Sequence, residues 1–238
     1  MTSSDIDKSQ IRYARLAGFM YLFVDAAYLL GLYIVSGFQV TGNFAETAHR
    51  IMESELLYRI GQSSGLIGGL CTVFLAMGLY GAVKPIDNNL ALLALIFRLV
   101  EATLFGVLSI LSFTALKLYI GADYRHAFDA NQLSVLVNLH LVSSFAGFNI
   151  AAIFFSMGSI LFFYLFLKST YIPNLLSGLG LFGSVLVPIV CFGSLMSPQH
   201  DNTLALGWIP VGLAEILVGF WLLIKGVNVG RISDGSNK

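Results

Sequence analysis

Charged residues are scarce in this chain of 238 residues, where Asp, Glu, Lys and Arg together make up 11%. Soluble domains carry about 25% of these residues. Thirteen Lys and Arg balance thirteen Asp and Glu, so no basic excess is present that would recruit nucleic acid. Hydrophobic residues make up 57% of the chain, and its mean hydropathy is +0.82. Most of the chain therefore cannot face water, and the composition indicates a membrane protein.

Cysteine and the usual catalytic motifs are also scarce. Cys71 and Cys191 both lie in apolar runs without CxxC spacing, so we interpret them as small buried apolar residues and not as disulfide or metal sites. The sequence contains no GxSxG motif, no apparent Ser-His-Asp arrangement and no glycine-rich turn after a strand. It therefore predicts no cofactor and gives no recognisable sign of an enzyme.

Long apolar runs are what the chain has instead, and a run of about 20 residues crosses about 30 Å of hydrocarbon. Each crossing is expected to be a helix, because a lone strand would leave its backbone unpaired in lipid. We predict an all-α, polytopic membrane bundle of about six helices, formed as one domain over 16–225 between polar segments 1–15 and 226–238. The six runs cover 16–36, 61–83, 89–116, 134–167, 174–196 and 204–225.

Basic residues between the runs predict the orientation. If the N-terminus is cytoplasmic, the inside segments hold Lys8, Arg12, Arg15, Lys84, Lys168, Lys225, Arg231 and Lys238. The outside segments then hold Arg50, Arg59, Lys117 and Arg125. Positive charge collects on the cytoplasmic side of membrane proteins, so both termini are expected to lie in the cytoplasm.

Two outer segments are more than simple turns. Residues 43–59 place apolar side chains at helical spacing, and Asn43 followed by Glu46 is typical of a capping box. This pattern predicts an amphipathic helix along the outer interface. The run 134–167 would be about 50 Å long as one helix. It must therefore protrude, tilt or break into two helices near Gly147.

The stretch LALLALIFRLVEATLFGVLSI, residues 90–110, carries two charges inside a membrane-spanning run. Its large apolar residues favour insertion by about 4–8 kcal/mol, whereas Arg98 and Glu101 oppose it by about 5–7 kcal/mol. The two contributions nearly cancel, so this helix needs partners that shield its charges. We expect both side chains to face the interior of the bundle.

Four ionisable side chains lie near the midpoints of their runs and form polar stripes on three helices. The stripes are Tyr21, Asp25 and Tyr28; Arg98, Glu101, Phe105, Ser109 and Ser112; and Trp208, Gly212, Glu215 and Gly219. Three acids at one depth against one guanidinium leave an excess of two negative charges. At least one acid is then protonated, or a cation or basic ligand compensates it.

Intramembrane ionisable residues usually mark a binding or transport site. We therefore predict a pocket near the membrane midplane that binds or transports a small ligand or a proton. Its candidate residues are Tyr21, Asp25, Tyr28, Arg98, Glu101, Trp208 and Glu215. In the alternative interpretation, the protein is structural or binds a partner, and the same charges only lock the packing of the helices.

Four histidines belong to the outer side in this topology and lie near several acids. A membrane enzyme with an outer His and carboxylate site is therefore a third hypothesis. No pair has HxxxH or HExxH spacing, so no metal site is predicted, and a haem would lack two axial histidines at one depth. The histidines are His49, His126, His140 and His200.

Several stretches spread along the chain share a family pattern. They are YARLAGFMYLF, ESELLYRIGQSSGL, NNLALLALIFRLVEA, STYIPNLLSGLG and WLLIKGVN. With them the chain resembles the bacterial integral-membrane family catalogued as domain of unknown function 4386. The resemblance implies a multi-spanning protein of the bacterial inner membrane. The partner that it implies for this protein is the lipid bilayer. It implies no reaction, and the sequence leaves the oligomeric state open.

Overall fold

The computed structural model of the protein describes residues 3–228, and the regular elements of that part are all helices, with no strand among the residues described. This confirms the predicted all-α fold class. The helices are α1 Ser3–Phe38, α2 Phe44–Glu53, α3 Glu55–Val83, α4 Asn88–Ile120, α5 Ala122–Ala127, α6 Ala130–Ser169, α7 Asn174–Met196, α8 Asp201–Leu204 and α9 Ile209–Ile224. Short 3-10 turns at Pro198–His200 and Ala205–Trp208 flank α8.

Six of these helices are long and apolar enough to cross a membrane, as the sequence predicts. The spans are Lys8–Phe38, Glu55–Val83, Asn88–Ile120, Ala130–Ser169, Asn174–Met196 and Ala205–Ile224. Several helices extend beyond the predicted runs. The first helix starts at Ser3, well before residue 16, and the segment 229–238 of the predicted C-terminal tail lies outside the described residues.

The fourth span is one continuous helix of 40 residues, so the break considered near Gly147 does not occur. Its length is about 60 Å, which requires it to tilt or to extend beyond the hydrocarbon. A side chain at Gly147 would meet Leu108 of α4, so this glycine gives close helix packing and not a break. Asp129 and Gln132 form a capping box that starts the helix.

The six spans form a ring in chain order. Each span packs against the next one, and α9 returns to pack against α1. Both ends of the described chain therefore lie at the same end of the bundle. Gly226, just after α9, faces Ile11 of α1, and the Asn228 N–H donates to the Tyr171 carbonyl in the loop before α7.

The half of the bundle next to the termini, here the closed half, is filled by a buried apolar cluster. Buried side chains of α1, α3, α4, α6 and α9 meet in it, and partly buried leucines of α7 pack against it. The cluster includes Ala14, Tyr21, Leu75, Leu79, Ala94, Phe162, Phe163, Phe166, Val218 and Leu222. The opposite half, here the hollow half, has its own smaller clusters at the periphery but encloses a cavity along the axis.

The predicted outer helix over 43–59 is shorter than expected. The backbone leaves helical geometry at Ser54, so α2 ends at Glu53 and Glu55 already begins the second span. The Asn43 side chain accepts from the Glu46 N–H, as the capping pattern indicates. Ala48 and Ile51 are buried against the ends of neighbouring spans, so α2 packs over the rim of the hollow half.

Candidate functional site

A cavity of about 720 Å³ occupies the hollow half of the bundle. Among the described residues, α1, α3, α4, α6 and the start of α9 line it, while α7 packs outside. It begins at the level of Tyr21 and Arg98 and extends to Gln39 and Tyr119, at the end away from the termini. All seven site residues predicted from the sequence line this cavity: Tyr21, Asp25, Tyr28, Arg98, Glu101, Trp208 and Glu215.

Arg98 and Glu101 form an ion pair at the floor of the cavity. Their Nε and Oε2 atoms are 3.1 Å apart, and the side chains are only 3% and 4% exposed. The approach is too poorly aligned to count as a hydrogen bond. Both residues lie on α4, three positions apart, so the pair neutralises charge within one helix.

Arg98 reaches α6 through weaker contacts. Its Nη1 atom lies 3.4 Å from the Ser159 hydroxyl, and its guanidinium carbon is 4.7 Å from the centre of the Phe155 ring. A side chain at Gly158 would lie 2.9 Å from the aliphatic part of Arg98. The glycine therefore makes the space through which the arginine side chain reaches the cavity.

Asp25 and Glu215 are the two acids of the predicted site that take no part in this ion pair. Glu215 is only 7% exposed, and its Oε1 atom has no hydrogen-bond partner among the described residues. The Asp25 Oδ2 atom likewise has no hydrogen-bond partner among the described residues. Asp25, Arg98, Glu101 and Glu215 all line this cavity, so the four ionisable groups belong to one site. A buried carboxylate without a partner is strongly unfavourable and indicates that something else completes the site.

Five aromatic rings form a continuous arc above this floor, here the aromatic arc. Ring centres are 5.2 Å apart for Tyr28 and Phe105, and 6.2 Å for Phe105 and Phe148. They are 5.6 Å apart for Phe148 and Trp208, and 6.2 Å for Trp208 and Phe155. These spacings are typical of interacting aromatic pairs, so the arc is a packed wall of the cavity.

The cavity also opens sideways along the hollow half of α1. Gly18 of α1 packs against the α9 backbone in the closed half, but farther along Gly31 packs against Gly61 and Gly65 of α3. Leu29 and Leu32 of α1 line the cavity and are nonetheless 61% and 67% exposed. The α1–α9 seam is therefore closely packed at Gly18, and in the hollow half the cavity reaches the outer surface of the bundle beside Leu29 and Leu32.

Glycines of α3 and α9 have two different roles. A side chain at Gly61 or Gly219 would overlap neighbouring side chains of α1, as expected for a packing face. At Gly65 and Gly212, however, a Cβ atom would have nothing within 4 Å, and both residues line the cavity. These two glycines contribute to the volume of the cavity.

The cavity is also lined by residues outside the polar stripes predicted from the sequence. They lie on one face of α6 at positions 140, 144, 148, 152 and 155, and include His140, Ser144, Phe148 and Phe155. Their spacing of about four residues fits a helix face, but Phe is so abundant in the apolar runs that this spacing could not distinguish a cavity wall from a lipid-facing surface.

The four histidines do not assemble into one group. His49 lies on α2 beside Glu53, His126 on α5, His140 in the cavity wall and His200 in the 3-10 turn before α8. Within residues 3–228, no three His, Cys, Asp or Glu side chains are arranged so that they could hold a metal ion. The outer-face enzyme hypothesis thus receives no support from geometry.

Comparison with known proteins identifies one family. A family model described as "Domain of unknown function (DUF4386)" matches residues 16–226, which include the first span from residue 16, the other five spans in full and every residue of the cavity floor. No curated protein and no solved structure matches the chain.

Proposed function

The chain belongs to the DUF4386 family, and from this premise we propose that it is a bacterial inner-membrane protein that binds a small ligand in the cavity of its hollow half. The observation that carries the proposal is Glu215, a buried acid with a free carboxylate oxygen at the floor of a cavity of about 720 Å³. Ligand pockets typically enclose about 300–1,000 Å³ and combine apolar walls with a few polar groups.

A purely structural role for the charges is less well supported. Charges that lock helices together are expected to pair between helices, but the Arg98–Glu101 pair lies within α4. The link to α6 is a long contact with Ser159 and a ring contact with Phe155. If these charges served only to hold the helices together, the space around Asp25 and Glu215 would be expected to be filled by close-packed side chains. The cavity at this point therefore favours a ligand-binding role over a structural one.

Binding from one side is the activity that the shape supports. The closed half is filled by large buried side chains such as Phe162, Phe163 and Phe166, directly beyond the floor. Passage through the protein would require that these side chains move apart. We therefore propose ligand binding as the basic function, with release to the closed side only if the bundle changes conformation.

The test is to fill the cavity without disturbing the fold. Gly212 lines the cavity and has open space around its Cβ position, so Gly212→Leu projects a side chain into the ligand volume. Gly106 of α4 also has open space but does not line the cavity, so Gly106→Leu is the matched control. Each protein is purified in lipid nanodiscs from its expression membrane, and co-purifying small molecules are identified by mass spectrometry.

We expect one or more non-bulk molecules to accompany the wild type and Gly106→Leu, and to be depleted in Gly212→Leu. The same molecules should raise the melting temperature of the wild type and of Gly106→Leu only, because a ligand that binds the native state stabilises it. Equal recovery from all three proteins, or recovery of bulk lipid alone, would contradict the proposal and favour the structural role.

A further inference from the structure

We propose that the ligand is an amphiphilic organic cation, which enters from the bilayer and places its ammonium-type head between Asp25 and Glu215. This inference rests on the proposed binding function and specifies its chemistry. It follows from three independent features of the cavity: the charge left at its floor, the aromatic arc above that floor, and the lateral opening beside α1.

The floor holds two acids that pair with no basic side chain among the described residues. Glu101 neutralises Arg98 at 3.1 Å, so Asp25 and Glu215 remain without a basic partner among the described residues. The two acids come from α1 and α9, the helices on either side of the α1–α9 seam. A cation at this point would lie between two carboxylates, whereas an anion would meet both of them and would find the guanidinium already paired.

The walls above the floor suit an organic cation and not a hydrated metal ion. The aromatic arc presents Tyr28, Phe105, Phe148 and Trp208 in sequence along one side of the cavity. Aromatic faces attract alkylammonium groups by cation–π interaction and also accommodate apolar substituents. No group of three or more potential metal ligands was found in the described part of the chain. We therefore expect the positive charge that Asp25 and Glu215 bind to belong to an organic molecule.

The opening beside α1 explains why the ligand should be lipophilic. Leu29 and Leu32 are exposed along the seam and line the cavity at the same time. On a spanning helix such side chains face acyl chains, so the cavity communicates with the bilayer interior. A molecule that partitions into lipid can enter through this seam with its apolar part remaining near the leucines.

The experiment uses a pair of probes that differ in the sign of their charge. Tetraphenylphosphonium and tetraphenylborate have nearly the same size and shape, but the first is a cation and the second an anion. The chain contains two tryptophans, of which Trp208 lies in the cavity and Trp221 packs against the closed half. In Trp221→Phe protein in nanodiscs, bound probe is expected to change Trp208 fluorescence saturably.

We expect tetraphenylphosphonium to bind at least about tenfold more tightly than tetraphenylborate. In the double variant Asp25→Asn/Glu215→Gln, we expect the affinity for tetraphenylphosphonium to fall by about 10–100-fold. Asp25→Asn alone, with a smaller loss, serves if the double variant does not fold. Equal affinity for both ions, or unchanged affinity after removal of both acids, overturns the inference.

The outcomes also separate this inference from the binding function itself. If both probes bind and Gly212→Leu blocks both, the cavity is a ligand site but not one selective for cations. If the fluorescence of Trp208 responds to pH while neither probe binds, the two acids hold a proton and the cation proposal is wrong. If neither probe nor pH has an effect and no molecule co-purifies, the proposed function fails as well.

Discussion

Arg98 is the residue on which the energetics of the cavity floor depend. Its side chain is 3% exposed, and its charge is offset within its own helix by Glu101. A buried ion pair is a weak source of stability by itself, but a single member left without the other is strongly destabilising. Glu101 can therefore be tolerated at this depth only while the guanidinium remains beside it.

This gives a prediction for two variants. Arg98→Met should destabilise the protein by about 3–5 kcal/mol, because Glu101 is left buried without its partner. Arg98→Met/Glu101→Gln should recover most of that loss, because no uncompensated charge from the pair remains. Thermal unfolding in detergent, compared at equal protein and detergent concentration, measures both. A double variant no more stable than Arg98→Met would show that the arginine acts chiefly on Asp25 and Glu215.

At the same scale, the sequence identified the charged residues at the floor of the cavity but not its whole wall. A charge in a spanning helix is rare and costly, so Asp25, Arg98 and Glu215 stand out in any apolar run. Phe148 and Phe155 do not stand out, because a phenylalanine is equally suitable against lipid, in a core or beside a ligand. Only the packing of α6 against α4 determines which face they are on.

At the scale of the elements, glycine decides where two helices can touch. A side chain at Gly18 of α1 would lie 2.7 Å from the Gly219 carbonyl oxygen and close to the backbone of Leu222 and Leu223. Backbone cannot move aside as a flexible side chain can. The closed part of the α1–α9 seam therefore depends on this one small residue.

We expect Gly18→Ala to destabilise the bundle by about 1–3 kcal/mol through overpacking. Gly37→Ala on the same helix is the control, since a Cβ there has nothing within 4 Å and stability should change by less than about 0.5 kcal/mol. Melting temperatures in one detergent give the comparison. Equal effects of the two substitutions would mean that α1 does not pack against α9 as closely as described.

The number and type of the spanning helices were predictable, but their ends were less so. Apolar length alone identifies a membrane span, and five of the six predicted runs lie within long helices. The sixth, 204–225, corresponds to the 3-10 turn Ala205–Trp208 followed by α9. The position of Ser54 between α2 and α3 was not predictable, because residues 43–59 keep helical spacing across it. The continuity of α6 past Gly147 depends on contact with Leu108, a residue 39 positions away in the sequence.

At the scale of the whole molecule, the division into a closed and a hollow half determines what the protein can do. About 20 residues of α4 separate Arg98 from Tyr119 near the mouth of the cavity, a height of about 30 Å. Half of a hydrocarbon core is only about 15 Å thick. If the charged floor lies near the midplane, as the sequence predicts, we expect the mouth to lie above the acyl chains and the cavity to be accessible to water as well as to lipid.

The last prediction tests this asymmetry and the orientation together. In a protein with Cys71 and Cys191 replaced by alanine, Ser112→Cys places a thiol in the cavity near its mouth, and Ser177→Cys places one in the fully buried part of α7. A membrane-impermeant methanethiosulfonate should label the first thiol in spheroplasts but not in inverted vesicles, and the second in neither. Labelling of Ser112→Cys only in inverted vesicles would reverse the predicted orientation. If the two thiols react equally, the protein is not divided into a filled half and a hollow one.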